Sequence, residues 1–217
     1  MTKTIGIIQV KGGAGRSTLA TNLSGELSKR GSTVLIDCDM PQGTSASWFA
    51  VREQTQKTLF GNLMADTATN HRELVAKVEQ YADVDYIVLD GPPRIAELTR
   101  AALVLADLCL VPVGASKAEI WATSDILELI EEAKQVKPIN ARMVWTRHRP
   151  HTRLAQELTE LATKELGLPA LQSTLGMRVA YMEALGSGLT AAEMSEPNAR
   201  AEVQSLANEV KKLLRKK

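Results

Sequence analysis

The sequence predicts an α/β fold, a three-layer, doubly wound and mainly parallel sheet, and three observations predict it. Apolar runs of strand length alternate with segments of helical period along the 217 residues. The runs are β-branched and apolar on both faces, as strands buried between two helix layers must be. Strand–helix alternation implies parallel strands joined by right-handed crossovers. In chain order the strands are TIGIIQV (4–10), TVLIDCD (33–39), DYIVLDG (85–91), LCLVPV (108–113) and ARMVWTR (141–147), with PALQSTL (169–175) a weaker candidate. The intervening helices present Leu19, Leu23 and Leu27, then Ile126, Leu127 and Ile130, then Leu154, Leu158, Leu161 and Leu166. With no internal repeat, low-complexity tract or long linker, residues 1–217 read as a single domain.

Composition narrows the function classes. A hydrophobic fraction of 44% with 24% charged residues is that of a globular protein. Aromatics at 4% leave the core to aliphatic side chains and alanine. A net charge of +1 gives no global pull toward nucleic acid or membrane, so any such pull must be local. Cys38 and Cys109 lie inside apolar runs and read as buried free thiols of a reducing compartment. The start MTKTIGIIQVKGG turns polar and glycine-rich too early for a signal peptide, and no apolar run approaches the roughly 18 residues of a membrane span. A cytoplasmic protein is expected. His71, His148 and His151 are not at metal-ligand spacing, and Trp48, Trp121 and Trp145 are expected to fill the core or an interface.

Chemistry concentrates in VKGGAGRST, residues 10–18. Gly12, Gly13 and Gly15 fall between the first strand and the first helix, followed by Ser17 and Thr18. Glycines let backbone N–H groups approach an anion closely, and a helix N-terminus adds partial positive charge. Ser17 is placed to offer its hydroxyl to Mg²⁺. Two further strands end in carboxylates: Asp37 and Asp39 in VLIDCDMPQG, and Asp90 in DYIVLDGPPR. Paired aspartates at a strand end can serve a metal and a water, or merely cap a turn and the next helix. The carboxyl edge of an open α/β sheet is where ligands bind.

KGGAGRST resembles the deviant Walker A motif of the ParA/MinD superfamily, KGGxGK followed by Ser or Thr and then Thr. The resemblance covers nearly the whole chain and implies a P-loop NTPase fold binding ATP or ADP with Mg²⁺. It implies that Lys11, Gly12, Gly13, Ala14, Gly15, Arg16, Ser17 and Thr18 hold the nucleotide. Lys11 would reach across an ATP-sandwich homodimer to the partner's phosphates. VLIDCDMPQG resembles the family's switch I, with Met40 as a departure. That assigns Asp39 to water activation and Asp37 to a supporting role near the metal. DGPPR resembles switch II, with Asp90 meeting Mg²⁺ through a water. Ser17, Asp39 and Asp90 are thus the metal set, and Lys11, Arg16 and Asp39 the catalytic one. Arg16 stands where the family has lysine. Arginine keeps the charge and can grip phosphate bidentately, but its planar head is larger, so ATP binding with slow hydrolysis is expected.

PVGASKAEIWATSDIL and MVWTRHRPHTRLAQEL are similar to segments of small ParF-like partition proteins, which implies Thr146 and Arg147 on the adenine side. No N-terminal helix-turn-helix extension is expected. The last helix, NARAEVQSLANEVKKLLRKK, places Val203, Leu206, Val210, Leu213 and Leu214 at helical spacing. It ends in Lys211, Lys212, Arg215, Lys216 and Lys217. Three readings stay open for these cations: a solvated helix end favoured by the helix dipole, a non-specific DNA contact, or a MinD-like membrane-surface helix. The membrane is the least expected, because the segment lacks Phe and Trp. Arg200 aligns with a family position that contacts nucleoid DNA. The resemblance as a whole implies a partition ATPase, nucleoid-associated, whose hydrolysis is stimulated by a ParB-like centromere-binding protein or cargo adaptor. A MinD-like regulator, a small-molecule kinase of the dethiobiotin-synthase kind and a non-catalytic ATP-binding adaptor are the rivals.

Overall fold

The computed structural model describes residues 1–55, 62–93, 97–149 and 152–215. The first half of the chain runs β1 (Lys3–Ile7), α1 (Arg16–Ser28), β2 (Thr33–Asp37), α2 (Thr44–Thr55), β3 (Leu63–Thr67), α3 (His71–Gln80) and β4 (Tyr86–Asp90). It continues through α4 (Glu97–Leu105), β5 (Leu108–Gly114), α5 (Lys117–Trp121), α6 (Ser124–Lys134) and β6 (Ala141–Thr146). Three helices close it: α7 (Arg153–Leu166), α8 (Val179–Gly186) and α9 (Pro197–Arg215). The six strands form one sheet in the order β3-β2-β4-β1-β5-β6, parallel at every pairing.

The alternation of apolar side chains decides the layers. Ile5, Ile7, Leu35, Val88, Leu108, Leu110 and Val144 point to one face, where they meet α1, α2, α8 and α9. Ile8, Val34, Ile36, Ile87, Leu89, Cys109 and Val111 point to the other, against α3, α4, α6 and α7. Both faces are therefore dry, which is why these strands read as continuous apolar runs. Cys38 and Cys109 are buried free thiols. Trp48 and Trp145 sit in the two cores, but Trp121 is 60% exposed and fills neither.

Three local expectations are corrected. Leu154 is 57% exposed; the buried stripe of α7 is Ala155, Leu158, Ala162 and Leu166, a narrower 3.6-residue face that small alanines complete. The strand β3, LMADT, was not expected; it is an edge strand with only Leu63 fully buried, so it shows no apolar run. Residues 169–175 form no strand. They touch β6 through an isolated bridge of Met143 with Ala170, and a second bridge follows just beyond, His148 with Gly176. Their outward N–H groups are taken by α9 instead: Glu209 accepts from Gln172 (2.9 Å) and Ser173 (2.8 Å), and Glu202 accepts from Gly176 (2.9 Å). Glu202 and Glu209 are seven residues apart and so share a helix face. Buried backbone donors must be satisfied, and here a helix carries the acceptors that a further strand would have supplied.

The helix after the second strand is tied to the C-terminal region. Arg52 is buried and donates to Gly188 O (2.7 Å) and to Glu193 Oε1 (2.8 Å), with its guanidinium 5.1 Å from the Trp48 ring centroid. No helix among the described residues is long and apolar enough to cross a membrane.

Candidate functional site

Three loops leave the carboxyl ends of β1, β2 and β4 side by side. The first is the glycine loop, where Gly13 (φ 79°) and Gly15 (φ 92°) adopt the left-handed backbone that side chains disfavour. Gly15 is also the N-cap of α1, whose first turn carries no acidic residue and no side-chain cap. The leading N–H groups of that helix are thus left for an external anion. A Cβ built on Gly12 or Gly13 would meet nothing within 4 Å, so the inner face of the loop is an open cradle. A Cβ on Gly15 would press on Thr146 at 3.4 Å.

Arg16 does not point along the course expected of it. It is 7% exposed, and its Nη1 donates to the carbonyls of Gln9 (2.7 Å) and Lys11 (2.8 Å), while Nη2 donates to Asp39 Oδ2 (3.2 Å). The guanidinium laces the loop to itself and to the end of β2. Its Nε is buried with no hydrogen-bond partner among the described residues. Two of its nitrogens, Nη1 and Nη2, are engaged with the protein itself.

The carboxylates divide their work by geometry. Parallel register sets Asp37 directly beside Asp90 on the neighbouring strand. Asp37 spends both oxygens on backbone, accepting from Asp39 N (2.9 Å) and Ala46 N (2.9 Å), which is the capping alternative. Asp90 is fully buried; Oδ2 accepts from Ser45 Oγ at 2.5 Å and Oδ1 has no partner among the described residues. Burial, and then the neighbouring Asp37 charge, push the Asp90 carboxyl up to about 7, against the opposing hydrogen bonds of Ser45 and Ser17 and the charge of Arg16. A buried carboxylate with an orphaned oxygen fits a cation or its bound water. Among the described residues no group of three or more His, Cys, Asp and Glu makes a metal cage. That suits Mg²⁺, which keeps waters and shares its coordination with phosphates. Ser17, Asp39 and Asp90 would hold it.

Lys11 sits on the outer rim of the cradle with its Nζ 3.1 Å from Glu119 Oε1. The same oxygen takes Arg147 Nη2 at 3.2 Å. Arg147 has φ 52°, a left-handed conformation that costs roughly 1 kcal/mol for a side-chain-bearing residue. Thr146 is buried and donates to Ala14 O (2.9 Å), fixing β6 to the loop. A cavity of about 380 Å³ opens beside Gly13, Gly15, Thr18, Thr146 and Arg147 and is walled by residues 175–182. It is largely apolar in its lining, as a purine base requires.

The four proposed DNA cations do not form one patch. Arg200 bonds the carbonyls of Ala192 (3.1 Å) and Met194 (3.2 Å) near the start of α9. Lys211, Lys212 and Arg215 lie roughly 16–22 Å further along that helix at 1.5 Å per residue, and share a cleft with Arg30 and Tyr86. Lys216 and Lys217, like His151, lie outside the described residues. Residues that sequence reading missed are Gln9, Ser45, Glu119, Glu202 and Arg30. Each is polar within an otherwise ordinary segment, and only the fold brings it to the site.

Fold and loops together define a P-loop nucleotide-binding protein of the doubly wound α/β class. A family model described as an AAA domain matches residues 2–84. The chain is 28% identical to the maintenance of carboxysome distribution protein A of Halothiobacillus neapolitanus, over 95% of both chains. It is 27% identical to the chromosome-partitioning ATPase Soj of Thermus thermophilus, over 95% of this chain and 94% of that one. Among solved structures, apo McdA from Cyanothece has the same fold, with a TM-score of 0.80 at 17% identity, covering 97% of this chain and 100% of that one. Over nearly its whole length the chain is similar to P-loop ATPases of the ParA/MinD type. Two solved structures of this fold are nucleotide complexes, a Cyanothece McdA complex with ATP and the Pyrococcus horikoshii MinD with Mg-ADP.

Proposed function

We propose that the protein is a positioning or partition ATPase that binds ATP between two copies of itself. The observation that carries this is the division of labour between two cations. Arg16 occupies the inner position and is engaged with its own loop, whereas the Lys11 ammonium stands outside the cradle on Glu119. A cation so placed is free to leave Glu119 for a phosphate presented by a second subunit. In the dimer Lys11 neutralises the partner's triphosphate. The backbone of residues 12–18 cradles the phosphates, and Asp39 orients a water. Bound Mg²⁺ supplies charge neutralisation on the phosphate oxygens. Arg200, Lys211, Lys212 and Arg215 give each subunit a weak, salt-sensitive grip on nucleoid DNA. A ParB-like or cargo-adaptor protein then triggers hydrolysis and release.

The cargo class follows the relatives. Both a carboxysome-distribution protein and chromosome-partitioning proteins resemble this chain at similar identity, which favours ATP-driven placement of a cargo over any one cargo. Light scattering with ATP and Mg²⁺ tests the proposal: the wild type is expected to pair, and Lys11→Ala to stay monomeric. Equal pairing by both refutes the trans role of Lys11. A second reading, a slow-cycling ATP-bound adaptor, is favoured by the Arg16–Asp39 contact, since it withdraws the water-orienting carboxylate. Turnover near zero in the presence of DNA and partner would select it.

A further inference from the structure

Residues 176–182 wall the cavity beside the glycine loop, yet they belong to neither a strand nor the loops of the carboxyl edge, apart from the start of α8. Backbone bonds to His148 hold one end of them, and a single carboxylate gathers Gly176, Arg178 and Tyr181. Glu202 on α9 accepts from Gly176 N (2.9 Å) and Tyr181 Oη (2.7 Å) with Oε2, and from Arg178 Nε (3.0 Å) and Nη2 (2.7 Å) with Oε1. Arg178 is pinned further by Glu196 at 2.6 Å. The approach is close: a Cβ on Gly176 would lie 2.9 Å from Glu202 Oε1. Burial would raise the Glu202 carboxyl, but the hydrogen bonds of Arg178, Gly176 and Tyr181 hold it below its ordinary value.

We infer that Glu202 is a positioning residue for nucleotide binding: through Gly176, Arg178 and Tyr181 it sets the wall against which the purine base packs. The inference deepens the proposed function and rests on its reading of the cradle as an ATP site. The hydrogen bonds of Glu202 among the described residues go to Gly176, Arg178 and Tyr181, on the cavity wall rather than the phosphate loop, so its contribution is to the nucleoside half of the ligand. It is also the point at which base occupancy is felt by α9, the helix that bears Arg200 two residues earlier.

Isothermal titration of ATP, ADP and inorganic tripolyphosphate separates this role from a general structural one. In Glu202→Gln the Kd for ATP and ADP is expected to rise about ten-fold, the loss of one charge-assisted hydrogen bond. The Kd for tripolyphosphate is expected to stay as in the wild type. Discrimination of ATP from GTP narrows as well, because a loosened wall tolerates either purine. Tyr181→Phe, which removes one hydrogen bond and no charge, shifts ATP binding in the same direction by less, and serves if Glu202→Gln does not fold. An unchanged ATP affinity in both variants overturns the role. So does a parallel loss of ATP and tripolyphosphate, which would mean collapse of the whole site. Failure of the wild type to bind ATP at all overturns the proposed function itself, and this role with it.

Discussion

Replacing Arg16 by lysine installs the residue of the motif that the loop resembles and removes a contact that the structure makes explicit. The guanidinium spans three acceptors, the carbonyls of Gln9 and Lys11 and the carboxylate of Asp39, while being only 7% exposed. A lysine ammonium is a compact point charge on a shorter reach; it can keep the loop carbonyls but not stretch to Asp39 as well. One charge-assisted hydrogen bond is lost, and at about 1.5–3 kcal/mol for such a bond, offset by rehydration of a partly exposed carboxylate, the ligand-free protein should lose roughly 1–2 kcal/mol. The same change frees Asp39 to orient water. If that contact must break before hydrolysis and is worth about 1.4 kcal/mol, turnover rises about tenfold. Urea denaturation without nucleotide and ATPase assay at saturating ATP and Mg²⁺ read the two effects. Loss of stability together with gain of turnover is the expected pair. If Arg16→Lys matches the wild type in both, the Arg16–Asp39 contact restrains nothing and the reasoning is wrong.

Two further predictions follow from charge placement. Asp90 has its folded value raised from 3.8 to about 7, so the ligand-free fold binds its proton more tightly than the unfolded chain does. Its contribution is fully present below the unfolded value and is lost as pH rises through about 7, by up to about 4 kcal/mol from a shift of roughly three units. Asp90→Asn should therefore equal the wild type near pH 4 and exceed it in stability near pH 8, with Mg²⁺-dependent ATP binding lost; equal urea midpoints near pH 8 would refute the raised value. At the far end of α9, burial and then the charges of Arg30, Arg215 and Lys29 lower the Lys211 ammonium, with Glu26 opposing. Such crowding of cations invites phosphate, so Arg30→Gln should weaken ATP-dependent DNA binding and flatten its salt dependence by about 0.9 in log–log slope per lost contact; an unchanged slope in filter binding removes Arg30 from the DNA face.

The sheet was legible because its central strands are apolar on both faces, a pattern that little else produces, and the phosphate loop because glycines between strand and helix have few other uses. The edges were not. LMADT in β3 carries an aspartate that pairs with Lys77 and Tyr81 outside the core, so its composition argues against a strand. PALQSTL runs beside β6 without forming a strand, and its outer hydrogen bonds go to Glu209, more than 30 positions away, which no local pattern could nominate. The site divides in the same way. The loop residues and the acidic strand ends announce themselves by spacing, whereas the partners that decide what each does, Glu119 for Lys11 and Asp39 for Arg16, are set by tertiary contact. Asp37 shows the limit most plainly. Its position matches the motif, but register beside Asp90 and two backbone N–H groups make it a clamp on the start of α2.

That clamp and the Glu202 hub give the fold two mechanical links from the nucleotide edge to the C-terminal helices. One runs from the end of β2 through Asp37 to α2, whose Arg52 then grips Gly188 and Glu193 ahead of α9. The other runs from the base-side wall through Glu202 into α9 directly. The first ends on the segment ahead of α9 and the second on α9 itself, and Arg200 joins the two through its bonds to the carbonyls of Ala192 and Met194. Because interiors are close-packed and their contacts discrete, a displacement at the second link bears on α9 directly and one at the first bears on the segment ahead of it. The proposed nucleotide-dependent grip on DNA would require both links to act on Arg200, which lies where they meet.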